Sequence, residues 1–557
     1  MAQKTKLELT WIGKENRPKL EPRVLLEDPE KSYHAAHRVT ENDLFDNRLI
    51  FGDNLLALKA LEQEFTGRIK CIYIDPPYNT GSAFEHYDDG IEHSIWLSMM
   101  RDRLEILAKL LAPDGAIFVQ VDDNEGQYLR VMMDEVLGRQ NFVATFVWRK
   151  VDSPNDNKVF ITPDHEYIFC FAKDITRVSF NRKIDPTLLE AYGQRDETGR
   201  LYRDRLLKKN GKNSMREDRP SMFFSLRAPN GDEVFPIHDD GKEACWAMGK
   251  DSIEALAAAG DLIWKNRGTS SAPKWIPYSR EYAPASPERP YPTIWEDLHT
   301  SRQAKAHQKE VLAGVPLFDT PKPEPLIERI LRLSTNPGDW VLDSFGGSGT
   351  TGAVSHKMGR RWLMVELGEH CHTHILPRLK KVVDGADLGG VTEAVGWKGG
   401  GGFRYFRLAP SLLTQDKWGQ WVISKEYNAP MLAEAVCKLE GFTYAPSDSV
   451  YWQHGKSTER DFLYVTTANL SHDQLQQLSD EVGSERSLLV VCSAFRGRKE
   501  GYPNLTVKKI PKAVLSRCEW GHDDYSLKVE NLPKAPPAPP KVDKQGQQSL
   551  FGEEVGQ

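Results

Sequence analysis

Short apolar runs alternate with longer amphipathic stretches in two separate parts of the chain. Between residues 47 and 121, this pattern predicts strands at Asn47–Phe51, Ile69–Ile74 and 116–121, with a helix between each pair. Farther along the chain, strands at 340–342 and 361–365 enclose a predicted helix from 352 to 358. Buried strands that alternate with helices are typical of a doubly wound, mostly parallel sheet. The predicted fold class is therefore α/β.

The same pattern predicts where the chain divides into domains. Two strand-like runs, 142–148 and 166–171, have no helix between them, so we expect an antiparallel hairpin at one edge of the sheet. The alternation of strand and helix stops near residue 181 and returns near 296, and four glycines at 399–402 predict a flexible linker. We expect an N-terminal arm (1–45), two halves of one α/β domain (46–180 and 296–398), an inserted domain (181–295), a small C-terminal α/β domain (403–530) and a disordered tail (531–557).

Composition limits the function classes. The chain has 73 basic and 79 acidic residues and a net charge of −6, which argues against a uniformly basic protein that coats nucleic acid. The mean hydropathy is −0.53, and no stretch approaches the length of a membrane span. The seven cysteines are scattered and the N-terminus lacks a signal-peptide pattern. We therefore expect a cytoplasmic protein without membrane association.

One segment is nevertheless basic. Residues 200–228 contain nine basic and three acidic side chains, a local charge of +6. Basic side chains interspersed with aromatic ones fit contacts with phosphates and bases, whereas a solvated face over a small core is the alternative. The candidate DNA-binding residues are Arg203, Arg205, Lys208, Lys209, Lys212, Arg216 and Arg219.

Asp75-Pro76-Pro77-Tyr78 directly follows the strand Ile69–Ile74. Two prolines end the strand, which leaves a rigid loop at the carboxyl end, where open α/β sheets bind their ligands. A carboxylate, a proline carbonyl and an aromatic ring suit a flat substrate that carries an amine. The alternative is a strand-ending turn with a capping aspartate.

A glycine-rich turn lies between the strand 340–342 and the next helix. It starts at Asp343 and contains Phe345, Gly347 and Gly349, and Glu366 ends the following strand. Such glycines let the backbone approach a ligand closely, and an acidic residue at this place suits ribose hydroxyls. Because the turn lacks the lysine of a phosphate-binding loop, we predict a nucleoside cofactor without phosphates. Asp53 lies at the same edge of the sheet, where it either caps a helix or binds a ligand.

A histidine-rich run at 370–374 has the composition of a metal site but not the spacing. In a helix, His370 and His374 share a face, and no further Cys or His follows at structural-zinc spacing. We predict no metal.

Asp75 to Tyr78 together with Phe345-x-Gly347-x-Gly349 resembles the motif pair of amino-group DNA methyltransferases. The catalytic motif precedes the cofactor motif, with the basic region between them, which is the order of the β class. The runs 74–81, 122–125, 320–324 and 343–351 resemble those of Mod subunits of type III restriction–modification systems. The resemblance covers roughly residues 45–180 and 290–385.

This resemblance implies a circularly permuted S-adenosylmethionine (AdoMet) methyltransferase sheet that methylates the N6 amine of a flipped-out adenine in DNA. It assigns catalysis to Asp75, Pro76, Pro77 and Tyr78, with Phe146 or Trp148 as candidates for the opposite wall of the base pocket. It places Asp53 at the cofactor adenine, Glu366 at the ribose and Lys322 beside the methionine. The remaining cofactor residues would be Asp343, Phe345, Gly347, Gly349 and Thr350.

The resemblance also implies partners: double-stranded DNA, a second copy of the chain and a helicase–endonuclease subunit. Separately, 547–551 resembles the short peptide that binds the bacterial sliding clamp. Two other functions stay open. Cytosine-N4 methylation presents a similar amine to the same loop, and a non-catalytic DNA-recognition subunit of a defence complex would keep the fold without the reaction.

Overall fold

A large mixed sheet organises the chain. The computed structural model describes residues 8–78, 89–153, 160–269, 272–496 and 501–526. In chain order, the strands of this sheet are β1 (Leu25–Glu27), β2 (Tyr33–His34), β3 (Asn47–Phe51), β4 (Ile69–Ile74), β5 (Leu111–Val121), β6 (Phe142–Arg149), β7 (His165–Ala172), β8 (Ile294–Trp295), β9 (Trp340–Asp343), β10 (Arg361–Glu366) and β11 (Gly402–Leu408).

The order of these strands is β1-β11-β3-β10-β9-β4-β5-β7-β6-β8, and β2 also pairs with β11. Neighbours from β11 to β5 are parallel, whereas β7 is antiparallel to both β5 and β6. The predicted α/β sheet with an antiparallel hairpin is thus present. Because β4 and β9 pair directly, the loops that follow them emerge side by side. This adjacency positions the candidate site.

Helices cover the sheet: Asn54–Phe65, Asp89–Leu110, Gly126–Met133, Ser301–Val311, Glu324–Ser334, Thr350–Lys357, Leu376–Val383 and Thr392–Val395, with single turns at Asp134–Gly138, Arg139–Asn141 and Cys371–Ile375. The core lies between these helices and the central strands. Ile50, Ile72, Ile117, Leu342 and Leu363 come from five different strands, and none of them has exposed surface. Burial of each such side chain contributes about 1.5–3 kcal/mol.

The glycines at 399–402 do not form the linker that the sequence predicts. Gly402 is the first residue of β11, which pairs with β3 in the middle of the sheet and with β1 and β2 at its edge. A Cβ on Gly402 would lie 2.6 Å from the Cβ of His34, so glycine is required by close packing. Consequently, the segment predicted as an N-terminal arm also supplies two sheet strands.

The hairpin is not the outermost part of the sheet, in contrast to the prediction. β8 pairs in parallel with β6 and places Trp295 opposite Trp148. A two-residue strand produces no periodic pattern, so β8 cannot be recognised in the sequence.

Residues 181–291 form a second compact unit. Its strands are Lys183–Ile184, Gln194–Arg195, Leu201–Leu206, Leu226–Arg227, Glu233–Val234, Leu262–Asn266, Trp275–Tyr282 and Glu288–Arg289, with one helix, Lys250–Ala258, and turns at Pro186–Ala191 and Pro220–Met222. Its main sheet has four antiparallel strands. The core is small, with Leu207, Leu226, Trp246 and Ile253 as its buried members. This unit therefore consists mainly of antiparallel strands, whereas the central strands of the large sheet are parallel.

The C-terminal region contains a five-stranded sheet with two helices, Ala429–Glu440 and His472–Val482. Its strands are Thr443–Tyr444, Gly455–Lys456, Asp461–Val465, Ser487–Cys492 and Leu505–Lys509; the short pairs Leu413–Gln415 with Trp421–Ile423 and Asn469–Leu470 with Ala494–Phe495 accompany it. The clamp-like peptide 547–551 lies outside the described residues. Of the helices that the structure describes, none combines the length and apolar character needed to cross a bilayer.

Candidate active site

Both sequence motifs line one cavity of about 420 Å³. Its walls include Asp75 to Tyr78 after β4, and Asp343 and the turn residues Phe345 to Ser348 after β9. Glu366, from the end of β10, and Lys322, from the segment before the helix Glu324–Ser334, also line the cavity. The catalytic and cofactor motifs, more than 260 residues apart in the chain, therefore share one space at the carboxyl edge of the sheet.

The loop after β4 presents one free carbonyl and one paired carboxylate. The Trp96 indole N–H donates to the Pro77 carbonyl (2.7 Å), whereas within the described residues no donor reaches the Pro76 carbonyl. The Tyr78 hydroxyl donates to Asp75 Oδ1 (2.5 Å), and Lys322 Nζ donates to Asp75 Oδ2 (2.5 Å). The aspartate is thus held between a phenol and an ammonium group.

A second carboxylate, absent from the sequence prediction, joins this group. Glu166 on β7 is 5% exposed, and its Oε2 accepts from the Tyr78 hydroxyl (3.0 Å) and from Gln120 Nε2 (2.6 Å). Lys150 Nζ donates to Oε1 (3.2 Å). Because Glu166 is close to the catalytic loop only through the pairing of β7 with β5 and of β5 with β4, no local sequence signal could reveal it.

The charges of this cluster depend on one another. Burial raises the pKa of Asp75, and the charge of Glu166 raises it further, while Lys322 opposes both. For Glu166, burial is outweighed by the ammonium groups of Lys322 and Lys150, which lower its pKa. Burial likewise opposes the charge of Lys322, but the two carboxylates raise its pKa. Lys322 is therefore protonated, and the same surroundings raise the pKa of Asp75 but lower that of Glu166.

The glycine turn has the backbone shape that the sequence predicts. Gly347 and Gly349 have φ values of +51° and +78°, and the Gly347 N–H donates to Glu366 Oε2 (2.8 Å). A Cβ on Gly346 would lie 3.2 Å from the Val365 carbonyl oxygen. The turn thus packs tightly against the end of β10, with its backbone facing the cavity.

Asp343 and Thr350 hold this turn in place. Asp343 accepts from Thr351 Oγ1 (2.6 Å) and from the Phe345 N–H (2.9 Å), and burial raises its pKa to about 8. Thr350 Oγ1 donates to the Lys322 carbonyl (3.0 Å), which ties the turn to the segment that carries Lys322. Thr350 therefore joins two walls of the cavity.

Asp53 caps a helix, which was the alternative to a ligand contact. Its Oδ1 accepts from the Leu56 N–H (3.1 Å), and its Oδ2 accepts from the Tyr525 N–H (3.0 Å) and lies 3.5 Å from Arg103 Nη2. Asp53 also lines an adjoining cavity of about 440 Å³, which shares Phe345 and Glu366 with the first. Its contact with a cofactor adenine stays a prediction.

The prediction that Phe146 or Trp148 forms the opposite wall of the base pocket is wrong. Their side chains are 4% and 0% exposed, and neither lines the cavity. Phe146 stacks on Trp295, with 4.5 Å between the ring centroids. Trp295 on β8 therefore covers the face of the Phe146 ring that was predicted to contact a base. Sequence reasoning missed two aromatic residues of the lining, Tyr73 and Phe318, and the Phe318 ring packs 5.2 Å from the His370 ring.

The histidines of 370–374 have separate partners. His370 pairs with Glu366 (3.0 Å), His372 contacts the Tyr405 hydroxyl (2.8 Å), and His374 contacts the Pro316 carbonyl (2.7 Å). Elsewhere in the described chain, His307, Glu324 and Asp387 lie close enough together to hold a metal ion. Lys357 Nζ lies 2.8 Å from both of those carboxylates, so an ammonium group already supplies the positive charge there.

The seven basic candidates of the second unit divide into two groups. Arg203 and Arg205 pair with Glu281 (2.9 and 3.6 Å), Arg216 pairs with Glu243 (2.7 Å), and Lys208 donates to the Ile237 carbonyl (3.0 Å). Within the part of the chain that the structure describes, Lys209, Lys212 and Arg219 form no ion pair. Of the seven candidates, these three are the cations that intramolecular acids leave unneutralised.

Comparisons with known proteins agree with this site. The family model described as "DNA methylase" matches residues 69–376, more than half of the chain. The "Probable type III restriction-modification enzyme HindVI Mod subunit" of Haemophilus influenzae is 32% identical over 430 residues, 69% of this chain and 56% of the relative. The type III EcoPI Mod subunit of Escherichia phage P1 is 31% identical over 393 residues, 62% of this chain and 60% of the relative.

The chain therefore spans somewhat more than half the length of these two relatives. Among solved structures, PvuII DNA methyltransferase (cytosine-N4-specific) is 17% identical, with a TM-score of 0.34, over 62% of this chain and 94% of that one. A TM-score this low supports no conclusion on fold or substrate. The family match, which includes Asp75 and the glycine turn, is sufficient: the chain belongs to the DNA methylase family.

Proposed function

We propose that the protein is a site-specific DNA methyltransferase that transfers a methyl group from AdoMet to the N6 amine of adenine. The observation that carries this proposal is the shared cavity, in which Asp75, the Pro76 carbonyl and Tyr78 face the glycine turn and Glu366. The relatives named as Mod subunits support a role in a restriction–modification system.

The residues of the cavity fit AdoMet. Asp75, Asp343 and Glu366 bring three carboxyl groups, against which Lys322 is the cation of the lining. Glu366, whose pKa is lowered despite burial, keeps a negative charge in this lining, which suits a sulfonium cofactor and disfavours phosphates. The positive φ values of Gly347 and Gly349 keep the turn free of side chains, and a volume of about 420 Å³ is in the range of ligand cavities. The adjoining cavity beside Asp53 would take the adenine.

When bound there, AdoMet supplies an electrophilic methyl group. The chain's own residues would then position the acceptor. A flipped-out adenine loses stacking and pairing worth a few kcal/mol, which stacking on Tyr78 would offset in part. Asp75 and the Pro76 carbonyl accept hydrogen bonds from N6 and direct its lone pair towards the methyl group. Catalysis by position in a largely buried site needs no covalent enzyme intermediate.

The unit of residues 181–291 is the proposed DNA-recognition element. Lys209, Lys212 and Arg219 would contact phosphates, because no acid of the described chain neutralises them. Arg203, Arg205, Lys208 and Arg216 would join them only if DNA competes with Glu281, Asp239 and Glu243 for their charges. The insertion of this unit between a catalytic half and a cofactor half matches a circularly permuted sheet, with Asp75 before Gly347 in the chain.

The partners are proposals that rest on the motif resemblances, and the relatives' names support only a subunit of a restriction–modification enzyme. A Mod-like subunit would bind double-stranded DNA, form a dimer and associate with a helicase–endonuclease subunit. A tail that carries 547–551 could also reach a sliding clamp.

Nucleoside mass spectrometry tests the proposed function. DNA from a methylation-deficient host that expresses this chain should contain N6-methyladenine, and DNA from a host that expresses Asp75→Ala should contain none. Asp114→Ala is a matched control, because Asp114 is an exposed aspartate that pairs with Lys70 away from the cavity lining. N4-methylcytosine in place of N6-methyladenine would favour the cytosine alternative. Absence of both, with intact DNA binding, would favour a non-catalytic recognition subunit.

A further inference from the structure

The proposed reaction presents a difficulty at Asp75. Lys322 Nζ lies 2.5 Å from Asp75 Oδ2, and the Tyr78 hydroxyl lies 2.5 Å from Oδ1. Both carboxylate oxygens are therefore engaged, and one faces a protonated amine. A carboxylate that is neutralised by an ammonium group is a weak acceptor for the neutral amine of a base. Each oxygen keeps a second lone pair, and movement of the ammonium group away from Oδ2 would make Asp75 a stronger acceptor for N6.

Glu166 is placed to receive that ammonium group. Its Oε2 lies 3.7 Å from Lys322 Nζ, so a shift of about 1 Å would bring the two groups to the usual distance of a charged hydrogen bond. The carboxyl group is buried and cannot turn to solvent. Two hydrogen bonds in series also fix this carboxyl group. The Tyr73 hydroxyl donates to Gln120 Oε1 (2.6 Å), and Gln120 Nε2 donates to Glu166 Oε2 (2.6 Å).

Tyr78 makes the exchange of partners feasible. Its hydroxyl has one hydrogen but faces two carboxylates, Asp75 at 2.5 Å and Glu166 at 3.0 Å. When that hydrogen is directed to Asp75, one lone pair of Glu166 Oε2 becomes available to Lys322. The same ring is the proposed stacking surface for the base, so entry of the base and transfer of the ammonium group would involve the same residue.

We propose that Glu166 is a positioning residue that takes Lys322 away from Asp75 when the amine of the target base binds there. Glu166 touches neither base nor cofactor in this arrangement. It acts through Lys322 and Tyr78, and it keeps Lys322 charged while Asp75 is released. This inference rests on the proposed function, since it requires an amine that binds at Asp75.

The test is a double-mutant cycle of Glu166→Gln and Lys322→Met, measured as the single-turnover rate of methyl transfer at saturating AdoMet and DNA. Glu166→Gln keeps the shape but removes the charge, so Lys322 stays on Asp75 and the rate should fall about a hundredfold, as for a misplacement of about 1 Å. In the Lys322→Met background, the same change should cost less than about threefold, because no ammonium group is left to move.

Two measurements without turnover separate positioning from structural damage. AdoMet affinity from calorimetry and the emission of 2-aminopurine at the target position, which reports base flipping, should both stay within about twofold of wild type in Glu166→Gln. Glu166→Asp keeps the charge but retracts it by one methylene, so an intermediate rate is expected. Glu440→Gln is a matched control, because Glu440 is also a buried glutamate with two cationic partners, Lys508 and Arg517, in the C-terminal region.

A wild-type rate in Glu166→Gln, or an equal loss in both backgrounds, would overturn the inference. If Glu166→Gln does not bind AdoMet, the rate of methyl transfer in Glu166→Asp is the test instead. A wild-type rate in Glu166→Asp would also overturn the inference. If the unmodified chain flips no base and methylates no adenine under the same conditions, the failure belongs to the proposed function instead.

Discussion

The cavity beside β4 and β9 and the unit of residues 181–291 both contain many charged side chains, but they organise them differently. At the cavity, the lining residues Asp75 and Lys322 and the neighbouring Glu166 are largely buried, and each is fixed by at least two partners. In the second unit, Arg205 and Arg216 are exposed, and Lys209, Lys212 and Arg219 have no acidic partner within the described chain. The first arrangement positions atoms for one reaction, whereas the second keeps charge available for a partner.

This difference leads to the largest expected effect. Asp75→Ala should reduce methyl transfer by at least about a thousandfold, because it removes the acceptor that orients N6. AdoMet affinity should change by less than about tenfold, and DNA affinity should stay unchanged. Single-turnover transfer, calorimetry and fluorescence anisotropy measure the three quantities. Loss of DNA binding together with activity would contradict the division of labour between the two regions.

The second prediction concerns the cations without acidic partners. Replacement of Lys209, Lys212 and Arg219 by Ala should weaken DNA binding and reduce the slope of log K against log salt by about one for each phosphate that the variant no longer binds. Anisotropy at several salt concentrations measures this slope. The exposed Lys242, which pairs with Asp240 in the same unit, provides a control, and Lys242→Ala should leave the slope within about 0.3 of wild type. If the control and the triple variant have the same slope, these three cations do not bind phosphate.

A third prediction uses the raised pKa of Asp343, which is about 8 because the group is buried. The protonated group is neutral, so AdoMet affinity should rise as pH increases towards 8 and the carboxylate forms, then level off. If AdoMet binds the ionised form of Asp343, binding lowers the pKa of that group, and the affinity for AdoMet rises by up to about tenfold for each pH unit. Calorimetry from pH 6 to 9 measures it. Asp343→Asn should remove this part of the pH dependence, and an unchanged profile would show that Asp343 does not face the cofactor.

The smallest expected effect concerns the core of the second unit. The Trp246 indole N–H donates to the Phe224 carbonyl (2.9 Å), so Trp246→Phe should destabilise this unit by about 1–2 kcal/mol because that hydrogen bond cannot form. Amide hydrogen exchange should increase within 181–291 and stay unchanged in β4 and β9. A comparable increase in the large sheet would show that the two regions unfold as one.

The two regions also differ in how far the sequence predicts them. Asp75 to Tyr78, the glycine turn and Glu366 are recognisable because a reaction requires particular atoms at fixed places. The apolar runs of β3, β4, β5, β9 and β10 and the helices beside them predict a mostly parallel sheet, although they do not predict the order of its strands. For 181–291, the sequence predicts a basic character and little more, because its short strands have no lasting periodicity.

Long-range packing explains the predictions that were wrong. Gly402 looks like part of a linker in the sequence, but close contact with His34 makes glycine necessary in a strand. Phe146 looks like a candidate for a base pocket until Trp295 covers it. Glu166 reaches the catalytic loop through pairing of β5 with β7, which no local pattern encodes. Each of these outcomes depends on a neighbour that is distant in the chain.

The central claim is that the loops after β4 and β9 hold one cofactor and one base between them. The most direct measurement is a crystal structure of the chain with AdoMet bound. We expect the nucleoside to lie between the glycine turn, Glu366 and the cavity beside Asp53, with the sulfonium methyl directed at the space between Asp75 and Tyr78. Binding of AdoMet at any other place, or with its methyl turned away from Asp75, would contradict this claim.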